Sequence, residues 1–492
     1  MIELIERAQI HLNRESIVSN EIKYSYLDLL ERSSQIASRL LNGVEDLNEA
    51  RIAFIVDPSF EYVAIQWGIW LAGGIAVPLC TKHPLSSLEY VIDDTNAKAL
   101  IYSENYSSLI APLLLKTEGI NEVSIKQTKS DLPKIDSQRK AMILYTSGTT
   151  GKPKGVVTTH ENIQAQIKML VKAWNWNRND KIISILPLHH IHGIINVVSC
   201  SLWSGASCYF LPKFDETKLF DIFKNGEISL FMAVPTIYYK LINYWKKQPE
   251  NEQLMISKVL NKFRLMISGS AALPISTLEE WKKISGHILL ERYGMTEMGM
   301  AISNSYEGER IPGSIGSPLE GIHVRLMADN TQISKDSIPG EIQVQGPNVF
   351  KEYWKKPKET KDSFIDGWFK TGDIAVKNGV RYRILGRNSV DIIKSGGHKI
   401  SALEIEEIIR KSPDIKDCAV VGIPDDEWGE IVVAGLVLKD GIKTVAKSFD
   451  SWLKDQLPNF QWPRKYLILE DLPRNVMGKV TKKELQKKFK LL

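Results

Sequence analysis

An α/β fold is predicted for this chain, with a large N-terminal domain of parallel and mixed sheets with helices over residues 1–386 and a small α+β C-terminal domain over 387–492. Three observations predict it. Short β-branched runs such as AKALIYS, AMILYTS, KIISILPL, SLFMAVP and FRLMISGS alternate with helical segments through about residue 385, as strands and covering helices do. The style changes near Gly386, where strand-like runs and capped helices follow each other closely. At 492 residues the chain also exceeds one ordinary core, which calls for at least two domains.

The first segment, MIELIERAQIHLN, contains Glu3 and Glu6 and has neither an apolar stretch nor an Arg-rich, acid-poor character. Neither a secretory signal nor a transit peptide is expected, and the cytoplasm is the expected location. Next, the strand RIAFIV, a helix from about Ser59 and the strand GIAVPL make a parallel βαβ unit. Tyr62 to Cys80 is nearly uncharged and about long enough to cross a bilayer, but Gln66, Gly73-Gly74 and Pro78 interrupt it. Central elements of a parallel sheet read as continuously apolar, so a buried helix and strand are expected here and a membrane span is not.

Beyond Gly386, RYRILGR and DIIKSGGHKIS are read as a hairpin, followed by a helix, the run CAVVGIPD, another helix and the run VVAGLVL. Ser401 with Glu404, and Thr481 with Glu484, have capping-box spacing and open helices with Ile405, Ile408, Ile409 and with Leu485, Phe489, Leu492 inward.

Composition excludes several classes. Lys and Arg number 63 against 58 Asp and Glu, a net charge of +5 spread along the chain, so nucleic acid is not the expected partner. Cys80, Cys200, Cys208 and Cys418 are widely spaced, without a CxxC pair or a His at metal-ligand spacing. They read as reduced core thiols.

After the apolar run Ala141-Met142-Ile143-Leu144 comes YTSGTTGKPKG, residues Tyr145 to Gly155. It is not a Walker A loop: the residue five before Gly151 is Thr146, and Pro153 follows Lys152. A loop of small residues after a strand can still turn its N–H groups inward as an anion nest, with hydroxyls as further donors and lysine charge nearby. Polyphosphate suits it.

The string resembles the signature of the adenylate-forming superfamily, which includes acyl-CoA synthetases, nonribosomal-peptide adenylation domains and beetle luciferases. Further motifs follow in that family's order: LPLHHIHG (Leu186 to Gly193), SGSAALP (Ser268 to Pro274), ERYGMTE (Glu291 to Glu297), WFKTGD (Trp368 to Asp373), GRNSVDIIKSGGHKIS (Gly386 to Ser401) and PRNVMGK (Pro473 to Lys479). The resemblance covers essentially the whole chain and implies an AMP-forming ligase using ATP, Mg²⁺ and coenzyme A as co-substrate.

Residue by residue, the resemblance implies that Thr146, Ser147, Gly148, Thr149, Thr150, Gly151 and Lys152 hold the leaving pyrophosphate. Glu297 would contact Mg²⁺ and Thr296 the α-phosphate; Tyr293, with Gly294 beside it, would stack on adenine, and Asp373 with Arg387 would take the ribose. Lys479 matches the adenylation lysine. The small domain would then rotate, withdrawing Lys479 and bringing Lys394, Ser395, Gly396 and Gly397 to the site as a thiol tunnel. Eight residues separate Arg387 from Gly396 where many members have seven, so the hinge is Ser389 or Val390 depending on which end is aligned.

Three of the nine histidines fall in LPLHHIHG. No Cys or clustered carboxylate accompanies them, and on a strand His190 and His192 would share one face while His189 points away. An acyl-pocket wall is expected, with His190 by resemblance at the gate and His192 deeper. Arg292 is the informative pocket residue, because an unpaired guanidinium beside an apolar tail is costly and suits a second carboxylate. Together, LPLHHIHG, MAVPTIYYKL, SGSAALP and LLERYGMTEMGMA most resemble the malonyl-CoA synthetases, with Ser270 and Met295 at their pocket positions and Lys240 as a second cation. The expected reaction is ATP-dependent activation of malonate, or methylmalonate, and its transfer to coenzyme A. The alternatives are a medium-chain or branched acyl-CoA synthetase in which Arg292 pairs internally with an acid such as Glu291, a luciferase-type oxidase, and a non-catalytic nucleotide-binding relative.

Overall fold

The computed structural model describes residues 2–125, 131–146, 152–211, 213–442, 444–445, 449–475 and 478–490. Four sheets organise these residues. A nine-stranded sheet runs, in spatial order, Ser317–Pro318, Gly299–Ser303, Leu290–Met295, Leu265–Ser268, Leu230–Ala233, Lys181–Ser184, Ser207–Phe210, Glu15–Ser19 and Ile22–Ser25. Its interior strands are parallel and its two edges antiparallel. A seven-stranded sheet is built around Lys140–Thr146, Ile75–Pro78, Arg51–Ile55 and Ala99–Tyr102.

Burial alternates along these strands and so defines layers. Leu230 and Met232 enter the core shared with the other sheet, whereas Phe231 and Ala233 enter an outer core under the helices Glu216–Lys224, Pro235–Lys246, Glu250–Leu260 and Ile275–Ser285. Helices Tyr26–Leu41, Phe60–Leu71 and His160–Ala173 fill the shared layer. The expected βαβ unit is present: Ser59 caps Phe60–Leu71 by accepting the Tyr62 N–H, and Arg51 pairs in parallel register with Ile75. A β-carbon on Gly68 would meet Ile36 at 2.6 Å, so this glycine lets that helix lie directly against Tyr26–Leu41. Among the described residues no helix is long and apolar enough to cross a membrane, and all four cysteines are buried and unbridged.

A six-stranded antiparallel sheet over residues 323–387 completes the large domain, and a five-stranded sheet over 392–469 forms the small one. Two local expectations are corrected here. RYRILGR pairs with Trp368–Asn378 in the large domain, and DIIKSGGHKIS folds back on itself as Ile392–Ser395 against His398–Ser401. No helix separates CAVVGIPD from VVAGLVL; Ile415–Asp425 and Gly429–Leu438 pair along their whole length through a turn at Asp426, Glu427 and Trp428. The Ser401 cap is present, its hydroxyl accepting the Glu404 N–H and donating to the Leu385 carbonyl at 2.5 Å. That second bond ties the small domain to the large one, as does the Ile275 N–H donated to Glu407.

Glu291 and Arg292 are consecutive on Leu290–Met295, so their side chains leave opposite faces. Glu291 is buried and accepts the Gly313 N–H at 3.0 Å. Burial, reinforced by the Glu407 carboxylate, pushes its carboxyl up to about 8. Between the ordinary value of 4.5 and about 8 the folded chain therefore holds a proton that the unfolded chain has lost, and stability falls as pH rises through that window. Glu291→Gln keeps the acceptor and removes the titration. In urea unfolding, the variant is expected to gain on the order of 2–4 kcal/mol over wild type at pH 8 and little at pH 5.

Candidate active site

The strand Lys140–Thr146 delivers Thr146 to the mouth of the cleft, where it pairs with Lys154. Ser147, Gly148, Thr149, Thr150 and Gly151 lie outside the described residues. Lys152 is exposed with its ammonium 5.6 Å above the Tyr90 ring, and Lys154 sits 4.9 Å above the Tyr353 ring. Beside them Glu297 accepts a hydrogen bond from the Tyr353 hydroxyl at 2.9 Å. Burial raises the Glu297 carboxyl above its ordinary range, only partly offset by Tyr353, Arg387 and Lys154. Among the described residues no group of three or more His, Cys, Asp or Glu could hold a metal, so Mg²⁺ here would need substrate phosphates to complete its shell around Glu297.

Asp373 and Arg387 face each other across the antiparallel pair Trp368–Asn378 and Arg381–Arg387. Their side chains approach to 3.5 Å, and Arg387 also donates to the Thr371 carbonyl at 3.0 Å. The Tyr293 hydroxyl donates to Asp373 at 2.6 Å. Burial lifts the Asp373 carboxyl, and the Arg387 charge works against it. The tyrosine expected to present its ring is thus also a fixed donor. Gly294 is needed for close approach, since a β-carbon there would lie 2.1 Å from the Gly299 carbonyl. Met295 and Thr296, half-buried, lie at the turn between Leu290–Met295 and Gly299–Ser303.

The acyl side differs from its sequence reading in two respects, at LPLHHIHG and at Lys240. LPLHHIHG is not a strand: His189 and His190 lie in a turn with their rings 4.3 Å apart, and His192 opens a π-helix over His192–Ser199. Such helices are rare and recur at functional sites. Burial holds His190 down at about 4, and neighbouring Lys479 adds to the shift; burial also holds His192 well below the ordinary imidazole value, with the Arg292 charge next. Both rings are neutral near pH 7. His192 Nδ1 lies 3.1 Å from the Ser270 hydroxyl, and Ser270 reaches it from a left-handed backbone, φ 70°. That conformation is costly for a residue with a β-carbon.

Arg292 is 4% exposed, and its Nε and Nη2 have no partner among the described residues. Burial pulls its pKa down to about 9. The guanidinium lies flat against Gly269, where a β-carbon would be 2.2 Å from Nη1 and 2.3 Å from Cζ. Lys240 is not part of this pocket. It is exposed on Pro235–Lys246, 5.5 Å over the Phe214 ring, because Tyr238, Leu241 and Ile242 take that helix's inward face.

Lys479 stands in the cleft, open to water yet ringed by protein. Loss of hydration and the Arg292 charge lower its pKa, while Asp373 opposes them. Gly478 beside it approaches Thr236 of the large domain. Lys394, Gly396 and Gly397 are exposed and Ser395 is buried in the hairpin Ile392–Ser395 and His398–Ser401, where a β-carbon on Gly396 would meet the Trp428 ring at 2.8 Å. Lys154 and Tyr353, which sequence reasoning did not single out, belong beside Glu297. Lys154 was visible in the YTSGTTGKPKG string; nothing in the sequence marks Tyr353.

Comparison with known proteins identifies the family. Residues 4–354 match the family described as AMP-binding enzyme, and residues 404–479 match AMP-binding enzyme C-terminal domain. The mitochondrial malonate–CoA ligase ACSF3 of Mus musculus is 42% identical over 98% of this chain and 90% of its own length. The malonate–CoA ligase of Arabidopsis thaliana is 37% identical over 96% of this chain and 86% of its own. ATP-bound MatB from Rhodopseudomonas palustris, 33% identical, superposes with a TM-score of 0.91 over 99% of both chains, against 0.81 for its apo form. With matches spanning both domains and close relatives along nearly its whole length, the chain belongs to the AMP-binding enzyme family.

Proposed function

We propose that this AMP-forming acid–thiol ligase is a malonate–CoA ligase. One observation carries the choice of acid: Arg292 is buried beside the site with two guanidinium nitrogens unpaired. A guanidinium fork matches a carboxylate's two oxygens, and malonate retains one carboxylate after the other has reacted. The rival in which Glu291 neutralises Arg292 is not supported, because Glu291 leaves the other face of the strand and is engaged by Gly313. The names of the mouse and Arabidopsis relatives support the same acid.

In the first half-reaction an oxygen of one malonate carboxylate attacks the α-phosphorus of ATP, the bond to the β-phosphate oxygen breaks, and pyrophosphate leaves. Arg292 binds the distal carboxylate, with Gly269, Ser270, His192 and Met295 shaping the pocket and His190 at its entrance. Glu297 would hold Mg²⁺, whose charge would neutralise the phosphates when bound. Thr296 faces the α-phosphate, Thr146 to Lys152 hold the pyrophosphate, and Asp373 with Arg387 takes the ribose beside Tyr293 and Gly294. Lys479 supplies fixed positive charge where negative charge gathers in the transition state. Its place in the cleft, and the greater likeness to ATP-bound than to apo MatB, support an adenylation arrangement.

In the second half-reaction the coenzyme A thiol loses its proton to water, its sulfur attacks the malonyl carbonyl, and the acyl–phosphate oxygen bond breaks to expel AMP. We place the domain boundary at 386/387, at the end of the last large-domain strand, Arg381–Arg387, and ahead of the first small-domain strand, which begins at Ile392. Rotation about Ser389 or Val390 would replace Lys479 by the Lys394–Gly397 turn. The buried, unbridged thiols suit a reducing compartment, for which we propose the cytoplasm; the mouse relative is mitochondrial by name, and cell fractionation with immunoblotting separates the two locations.

Removing one partner of a buried charge pair costs roughly 3–5 kcal/mol. Arg292→Ala is therefore expected to lower kcat/KM for malonate by about a hundredfold or more, with ATP affinity little changed and butyrate affected far less. Gly269→Ala, which pushes on the guanidinium, should reproduce the malonate defect in milder form. Equal losses for malonate and butyrate, or a wild-type preference for butyrate, would refute the dicarboxylate reading.

Lys479→Ala is expected to reduce ATP–pyrophosphate exchange by orders of magnitude, given what one fixed charge contributes, while supplied malonyl-AMP and coenzyme A still yield the thioester. Equal loss of both half-reactions would count against the assignment.

A further inference from the structure

Six charged side chains of alternating sign run through the small domain from the hinge to the loop that carries Lys479. Asp391 stands one residue past Val390 and clasps the far side of the hinge: its N–H donates to the Arg387 carbonyl at 2.7 Å, and its carboxylate accepts the Arg387 N–H at 2.9 Å. The Lys482 ammonium lies 2.6 Å from Asp391 and 2.7 Å from Glu406. Lys482 is 8% exposed and Glu406 4%. Glu406 meets Arg410 at 3.3 Å, Arg410 meets Asp417 at 3.6 Å, and Asp417 meets Arg474 at 2.5 Å. Arg474 ends the chain by donating to the Gly478 carbonyl at 2.7 Å, on the peptide unit that leads into Lys479. Asn475 ties the same turn, its side-chain oxygen accepting the Lys479 N–H at 3.0 Å.

Stability alone does not account for this chain. Buried ion pairs roughly break even against well-packed apolar side chains, and often do worse. What charges offer that apolar groups do not is contact of fixed direction and length between segments far apart in sequence. Here the segments are the hinge, the helix Ala402–Ile409, the strand Ile415–Asp425, the Lys479 loop and the helix Lys482–Lys490. Each link joins two of them or extends along one.

We propose that Asp391, Lys482, Glu406, Arg410, Asp417 and Arg474 are positioning residues that make the hinge and the Lys479 loop one rigid lever, so that rotation about the hinge delivers Lys479 to a fixed point in the cleft. This rests on the adenylation role proposed above for Lys479. None of the six touches substrate. Their effect is geometric, and a misplacement of about 1 Å can cost about a hundredfold in rate.

The test uses the full-length enzyme in two assays, ATP–pyrophosphate exchange and thioester formation from supplied malonyl-AMP, with thermal unfolding alongside. Arg474→Ala is expected to lower exchange kcat about a hundredfold while KM for malonate and ATP stays within about threefold and thioester formation is kept. Arg474→Lys should recover part of the loss. Lys482→Met, at the far end of the chain, should also slow exchange, and the double variant should lose less than the product of the single losses, because the two residues act on one lever. Should Lys482→Met fail to fold, Asp391→Asn takes its place, removing one of two carboxylates from the lysine. The lever is refuted if Arg474→Ala leaves exchange within about threefold of wild type, if the two losses simply multiply, or if both half-reactions fall together in step with the unfolding temperature. Lys479→Ala run in parallel separates the two ideas: if it spares thioester formation while Arg474→Ala has no selective effect, only the lever falls; if it abolishes both half-reactions, the role of Lys479 itself is wrong.

Discussion

A guanidinium without an internal anion is the constraint around which this pocket is built. Arg292 is buried deeply enough that its own pKa is pulled down, a cost that an empty apolar pocket would never repay. Several neighbouring choices follow from seating it. Residue 269 must be glycine for the guanidinium to lie against the backbone. The nearby His192 must stay neutral, which its complete burial ensures. Glu291, the nearest acid in sequence, is turned to the other face of the strand and occupied there, leaving Arg292 for a guest.

The nucleotide side is organised by the opposite sign. Glu297 and Asp373 are both carboxyls lifted by burial, each partly compensated by a fixed donor, Tyr353 in one case and Tyr293 with Arg387 in the other. Two carboxylates short of positive charge face a cleft into which Lys479 projects from the second domain. Arg292 and Asp373 act on Lys479 in opposite directions.

Much of this was legible in the sequence because it lies in short contiguous strings. The ERYGMTE strand and turn gathers Arg292, Tyr293, Gly294 and Glu297 within a few positions, and WFKTGD and PRNVMGK mark Asp373 and Lys479, so local order suffices to find these candidates. The βαβ unit around Ser59 and the Ser401 cap were readable for the same reason, as local signals with one physical meaning. What was not legible depends on partners far away in the chain. RYRILGR is a strand by any reading, but its partner is chosen by the sheet it completes. LPLHHIHG contains a proline followed by apolar and ring side chains, and only packing against both neighbouring layers makes its second half helical. Tyr353 comes to Glu297 because Glu352–Tyr353 adds itself to the edge strand Lys154–Thr159. The misplacement of Lys240 was avoidable: with Tyr238, Leu241 and Ile242 inward at helical spacing, residue 240 must point out.

Ser270 shows what the pocket costs the protein as a whole. Its left-handed backbone would be relaxed by glycine, the replacement a search for thermal stability would favour at such a position. Glycine, however, has no hydroxyl to meet His192, and the ring at the start of the π-helix would lose its anchor. Selection for a hardier protein and retention of the Ser270–His192 contact therefore pull this single position in opposite directions, and a thermostabilised lineage that kept serine here would be recording in its backbone the worth of that one contact.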